Sequence, residues 1–205
     1  MPAERLKAVC VFCGSSAGKN EAYVRAATEL GTALVENGLE LVYGGGNRGL
    51  MGAVAASVAE RGGVVTGFIP ETMTQFEGLQ TVGTVHFVPT MHARKAAMAE
   101  ASGAFVALPG GFGTFEELLE MVTWSQLRLH DKPVAILNTL GFYDPFLALL
   151  DRAVEDGFIA PVNRGLLIVK DNVPDLLAAI IDYTRPENAG YDLDWSKAPQ
   201  PVVLP

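Results

Sequence analysis

What most constrains this chain is an alternation. Short runs that are apolar at consecutive positions are each followed by a longer amphipathic stretch, and Gly or Pro marks nearly every junction. A run such as Ala104-Phe105-Val106-Ala107-Leu108 has no polar face to offer water, so it must be covered on both sides. Strands of that kind, separated by helix-length segments, build βα units around a parallel sheet. Strands are expected at 6–13, 39–43, 64–69, 82–88, 104–108, 134–137 and 166–169, and helices near 20–37, 49–61, 91–102, 114–129, 143–156 and 173–183. Gly38, Gly62 and Gly157 fall where helix C-terminal caps belong. The expected fold is α/β: one Rossmann-like, doubly wound domain over 1–185, its mostly parallel sheet of about seven strands carrying helices on both faces. The tail at 186–205, with Pro186, Pro199, Pro201 and Pro205, is expected to be irregular.

The 205 residues are 49% hydrophobic, which suits one compact core. A formal charge of -8 disfavours a broad nucleic-acid or anionic membrane surface, and with it a DNA-binding module, so any phosphate site must be local. Cys10 and Cys13 spell C-x-x-C inside an apolar run, with no second Cys pair and no nearby His to complete a zinc site. They are expected to be core thiols. The two cysteines, the absence of a signal-like N-terminus and the absence of a membrane-length apolar run lead to the expectation of a cytoplasmic protein.

In doubly wound sheets ligands lie beyond the carboxyl ends of the strands, so three loops matter. The first, Cys13-Gly14-Ser15-Ser16, offers small residues and two hydroxyls, and serves equally as a ligand loop or as a turn with a helix cap. The second, Gly44-Gly45-Gly46-Asn47-Arg48-Gly49, satisfies G-x-G-x-x-G after a strand. It follows the second strand rather than the first, and the next strand leads to Pro70-Glu71 without a clear ribose-binding acid, which argues against a dinucleotide. The third, Pro109-Gly110-Gly111-Phe112-Gly113-Thr114-Phe115-Glu116-Glu117, follows the most buried strand. Its glycines free the backbone to wrap an oxyanion, Thr114 adds a hydroxyl and the following helix points its positive end at the bound group. A capping box between Thr114 and Glu117 would explain those two residues by helix stability, but not the glycines.

Glu116 and Glu117 diverge by about 100° around that helix. Glu116, Glu120 and Thr123 share one face, Glu117 turns toward Met121 and Trp124, and Phe115, Leu118, Leu119 and Val122 form the core-facing set. A phosphate beside carboxylates needs compensating cations, since like unit charges at 4 Å repel by about 4 kcal/mol in an intermediate dielectric. Arg94 and Lys95, in Thr90-Met91-His92-Ala93-Arg94-Lys95, open a helix at the same sheet edge and can supply them. Together these groups suit cleavage of a glycosidic bond, where a carboxylate stabilises an oxocarbenium-like transition state and orients water. His86, His92 and His130 lack ligand spacing, so neither metal nor cofactor is expected.

The segments 109–117 and 91–98, together with 11–16, 42–46, 123–126 and 130–133, resemble the LOG (Lonely Guy) family of cytokinin riboside 5'-monophosphate phosphoribohydrolases, once mislabelled lysine decarboxylases. The resemblance covers nearly the whole chain. It implies hydrolysis of a nucleoside 5'-monophosphate to free base and ribose 5-phosphate, with Arg94 and Glu117 catalytic and without a cofactor. It also implies that Gly111 to Glu117 surround the nucleotide and that Lys95 and Thr123 contact it. Ser15, Gly45, Met91, Gly110, Gly111, Phe112, Gly113, Thr114 and Glu116 complete the expected binding set. The resemblance further implies a homodimer whose helices help close each site, and Glu77 as a candidate substrate contact. Molybdenum-cofactor carrier proteins resemble the same fold and give the alternative, a non-catalytic carrier of a phosphorylated ligand.

Overall fold

A computed structural model describes residues 6–73 and 82–197; Glu77 lies outside them. Seven strands, β1 (Ala8–Phe12), β2 (Glu40–Tyr43), β3 (Val65–Pro70), β4 (Thr84–Val88), β5 (Ala104–Ala107), β6 (Val134–Leu137) and β7 (Leu167–Lys170), form one sheet in the order β4-β3-β2-β1-β5-β6-β7. Every pairing is parallel. Each strand falls within a residue or two of its expected run.

The helices are α1 (Glu21–Glu36), α2 (Gly49–Ala59), α3 (Met91–Glu100), α4 (Phe112–Gln126), α5 (Asp144–Glu155), α6 (Pro161–Arg164) and α7 (Val173–Ile181). The short α6 is an addition to the expected set. The central strands are apolar on both faces because each face carries its own core. Leu30 and Leu34 of α1, Val54 and Val58 of α2 and Leu176 of α7 pack with Val9, Leu41 and Val106 on one side. Met98 of α3 and Leu118 and Met121 of α4 pack with Cys10, Phe12 and Phe105 on the other, with Phe146 and Leu150 of α5 against them. Cys10 and Cys13 are buried free thiols, one in each core, and burial pushes both well above the ordinary thiol range. Gly38, Gly62 and Gly157 each follow a helix with positive φ, as helix-ending glycines should.

Two expectations are corrected here. Leu119 is 42% exposed and drops out of the core-facing set, which keeps Phe115, Leu118 and Val122 and gains Met121. Thr114 and Glu117 form no capping box: α4 starts at Phe112 with Gly111 as its cap, which leaves Thr114 third in the helix. Among the described residues, 186–197 carry no helix or strand beyond a short turn of 3-10 helix at Trp195–Lys197, yet they pack back onto the end of α4. Arg185 donates to Ser125 Oγ, to the Ser125 carbonyl and to the Ala189 carbonyl, and Trp195 Nε1 donates to the Leu127 carbonyl at 2.7 Å. No helix of the described residues is long and apolar enough to cross a membrane.

The order of strands puts the topological switch between β1 and β5. From β1 the chain winds outward through β2, β3 and β4; it then crosses back along α3 to β5 and winds the other way. The loops leaving β1 and β5 therefore part, and the crevice between them is where ligands bind in such sheets.

Candidate active site

Backbone hydrogen bonds lock the three loops together at that crevice. Gly14 N donates to the Pro109 carbonyl at 3.0 Å, and the Gly14 carbonyl accepts from Leu50 N at 3.0 Å. Between the loops lies a cleft of about 310 Å³ lined by Ser15, Ser16, Tyr23, Leu50, Gly110 and Phe142. Behind it, buried Tyr143 donates its hydroxyl to the Leu108 carbonyl at 2.7 Å, fixing the residue just before the glycine loop. Burial pushes that phenol well up, so it remains a donor.

The glycines of the third loop have different causes. A side chain on Gly110 would meet Thr114 Oγ1 at 2.1 Å and Gly14 N at 3.0 Å, so Gly110 lets the loop close on itself. A side chain on Gly111 or Gly113 would meet nothing within 4 Å. Those two present bare backbone to open space at the first turn of α4, where amides point outward and the helix dipole is positive. This is the expected anion cradle. Phe112 stands between them, 92% exposed.

Beside the cradle lies a buried ion pair. Arg94, in the first turn of α3, donates Nε to the Phe68 carbonyl of β3 at 3.2 Å and places Nη1 3.3 Å from Glu117 Oε1. Its Nη1 also lies 3.8 Å from Met91 Sδ, and Nη2 fills the space beside Gly44, where a Cβ would stand 2.0 Å away. The arginine thus bridges the ends of β3 and β2 to α4. Glu117 is only 6% exposed, and burial pushes its carboxyl up to about 7. Arg94 and Lys95 pull in the opposite direction, while Glu116 and Glu120 add to the rise.

Lys95, also buried, is held between two carboxylates: it hydrogen-bonds Glu116 Oε1 and lies 3.0 Å from Glu120 Oε2. Burial opposes its charge, but the bonds to Glu116 and Glu120 outweigh burial and raise its pKa. The edge therefore holds two cations and three carboxylates within the first three turns of α4, one of the carboxylates poised near neutrality.

The sequence profile of a family described as "Possible lysine decarboxylase" matches residues 51–180. The chain is also 48% identical over 193 residues to the cytokinin riboside 5'-monophosphate phosphoribohydrolase LOG1 of Arabidopsis thaliana, covering 93% of this chain and 91% of that one. The chain belongs to the LOG family. A second member, the probable cytokinin riboside 5'-monophosphate phosphoribohydrolase LOGL5 of Oryza sativa subsp. japonica, is 50% identical over 185 residues, 90% of this chain and 75% of that protein. Among solved structures, the molybdenum cofactor carrier protein of Chlamydomonas reinhardtii aligns with a TM-score of 0.63 at 24% identity, over 86% of this chain and 96% of that one, a likeness of fold alone.

The residues expected from the LOG resemblance fall into three groups. Arg94, Lys95, Glu116 and Glu117 come together with Met91 beside the cradle of Gly111, Phe112, Gly113 and Thr114, and Ser15 is exposed at the neighbouring cleft. Gly45 is buried: it holds φ +80° and its missing side chain is accounted for by Ile69, 3.2 Å from where a Cβ would stand. Thr123 is exposed two and a half turns farther along α4, about 13.5 Å from Thr114 at the helical rise per residue. Gly44 and Glu120 were missed by sequence reading. Glu120 carried a signal, since it shares a face with Glu116 one turn away; Gly44 carried none that separates it from its neighbours.

Proposed function

We propose that this chain hydrolyses the N-glycosidic bond of adenosine 5'-monophosphates, N6-modified ones included, releasing the free base and ribose 5-phosphate. The observation that carries this is the Arg94–Glu117 pair, buried at the sheet's switch point and adjoining an open backbone cradle. The substrate's phosphate sits against the amides of Gly111 and Gly113, where the dipole of α4 favours an anion. The ribose then lies over Glu117 with its anomeric carbon toward the carboxylate. As the bond from that carbon to the base nitrogen breaks, its electron pair leaves with the base and positive charge grows on the sugar, which the carboxylate stabilises. Water adds to the sugar, Glu117 takes its proton, and the same proton is the one the departing base needs. Arg94 holds Glu117 in place and donates to ribose or phosphate oxygens. A carboxyl near pH 7 suits both halves of that transfer.

Imine chemistry fits poorly. A lysine that forms a Schiff base must be neutral, whereas Lys95 is kept charged between two carboxylates. A non-catalytic carrier of an anion gains nothing from a costly buried carboxylate beside its ligand.

The working unit in this proposal is a homodimer. Thr123 is exposed on α4 about two and a half turns beyond Thr114, and Met91 of α3, Leu119 of α4 and Leu129 just after α4 are exposed on the same side of the sheet. A second copy packed on that face covers them and lends its Thr123 to the site.

The deciding assay incubates the protein with AMP and with isopentenyladenosine 5'-monophosphate and separates the products. Base and ribose 5-phosphate are expected in equal amounts, and both are expected to vanish with Arg94→Ala. Binding without release from either nucleotide would replace the hydrolase with the carrier.

A further inference from the structure

One ammonium here is shared by two carboxylates of unequal exposure. The Lys95 side chain is 4% exposed, that of Glu120 22% and that of Glu116 54%. The two acids stand one turn apart on the same face of α4, with Glu116 nearer the cradle. An anion arriving at Gly111 and Gly113 carries at least as much charge as a carboxylate and competes for the same lysine. The partner it can displace is the wetter one: water takes over the solvation of a carboxylate already half exposed, whereas the more withdrawn Glu120 has less water to turn to.

We propose that Glu116 is an exchangeable placeholder on Lys95, displaced by the phosphate of the incoming ligand, while Glu120 is a positioning residue that keeps the lysine aimed at the cradle during the exchange. The exchange explains how a site with three carboxylates admits a phosphate: the ligand takes over an ion pair that the empty site keeps satisfied. It also explains why a lysine expected to bind phosphate is found already paired. The identity of the phosphate as that of a nucleotide rests on the hydrolase proposal; the exchange itself requires only a sugar phosphate.

Removing either acid changes the charge by the same amount, yet the exchange gives the two substitutions opposite signs. Without Glu116 the ligand has no competitor. Without Glu120 the lysine keeps only the partner that must be evicted and loses its second anchor. A general charge effect would tighten binding in both variants, and a merely structural role would weaken it in both.

The test is calorimetric titration of wild type, Glu116→Ala and Glu120→Ala with ribose 5-phosphate, using ribose as the phosphate-free control. Glu116→Ala is expected to bind about three- to tenfold more tightly, and Glu120→Ala more weakly by a similar factor, the range expected of partly exposed ion pairs. Glu120→Gln, which keeps an acceptor for the lysine, is expected to recover most of the loss and guards against a folding defect in the alanine variant. Shifts of the same sign, no shift, or no binding of ribose 5-phosphate by wild type would overturn the exchange. Turnover of AMP by wild type is measured separately: its absence would sink the hydrolase proposal while the titrations still judge the exchange.

Discussion

Glu117 is a carboxylate that the fold makes costly to ionise. Its folded pKa of about 7 lies above the ordinary carboxylate value of 4.5. Below pH 4.5 both folded and unfolded chains carry the proton, and the group has no effect on stability. Between pH 4.5 and 7 the folded state holds its proton more tightly, so stability falls as pH rises through this window and levels off above it. The loss is on the order of 3 kcal/mol at most. Glu117→Gln, which cannot ionise, is expected to melt higher than wild type at pH 8 and close to it at pH 4.5, while base release is abolished. In wild type, kcat/KM for AMP should rise through an apparent pKa near 7, since the carboxylate form accepts the proton from water. A flat profile between pH 5.5 and 8.5 would remove Glu117 from that role. Gly44 allows a complementary test. A Cβ there meets the far end of Arg94, which can swing away, so Gly44→Ala should still fold, but with a lower melting temperature because the buried ion pair is lost. The same swing breaks the contacts to the Phe68 carbonyl and Glu117, and kcat/KM should fall by about two orders of magnitude, the scale of a misplaced catalytic group.

At the scale of elements, the cradle is a loop held from behind. The tyrosine preceding α5 donates to the Leu108 carbonyl at the end of β5, one residue before the Pro109 that opens the glycine loop, and Asn138 Oδ1 in turn accepts from Tyr143 N at 2.8 Å. Tyr143→Phe strands a buried carbonyl and should cost about 1–3 kcal/mol of stability, measurable by urea titration. If the bond also sets loop geometry, KM for AMP rises in the same variant. None of this was legible in the sequence, because Tyr143 and Leu108 are brought together only by the sheet. The central strands β1, β5 and β6 were legible because each is a continuous apolar run, a signal that burial on two faces imposes directly. Boundaries were less so. The α4 start was misplaced by two residues because Thr114 with Glu117 imitates a capping box, while the backbone caps at Gly111 and spends Thr114 on packing against Gly110. The Arg94–Glu117 pair was within reach, since each residue follows a strand at one sheet edge. The pairing of Lys95 with Glu116 and Glu120 was not, because helix periodicity places acids on a face without saying which cation crosses to it.

At the scale of the whole molecule, the crossing of α3 from the edge strand β4 to the central strand β5 carries Arg94 to the switch point and sets α3 and α4 on the same side of the sheet. Leu119 is exposed there, and an exposed leucine changed to glutamate should alter the stability of a monomer by no more than about 0.5 kcal/mol. If a second copy covers it, the same change buries a charge without a partner, so Leu119→Glu should sediment as a monomer and lose activity while melting near wild type at low concentration. The sharper test is complementation. Glu117→Gln lacks the carboxylate in its own cradle, and in the proposed dimer Thr123→Tyr obstructs the cradle of its partner. In a two-fold dimer each mixed pair contains one intact site, built on the cradle of the Thr123→Tyr copy and facing the normal Thr123 of the other. Equal mixing should therefore restore about a quarter of wild-type activity per subunit from two inactive proteins, because about half the dimers are mixed and half their sites are intact. No recovery on mixing, with subunit exchange verified, would mean that each chain closes its own site and that Thr123 takes no part across an interface.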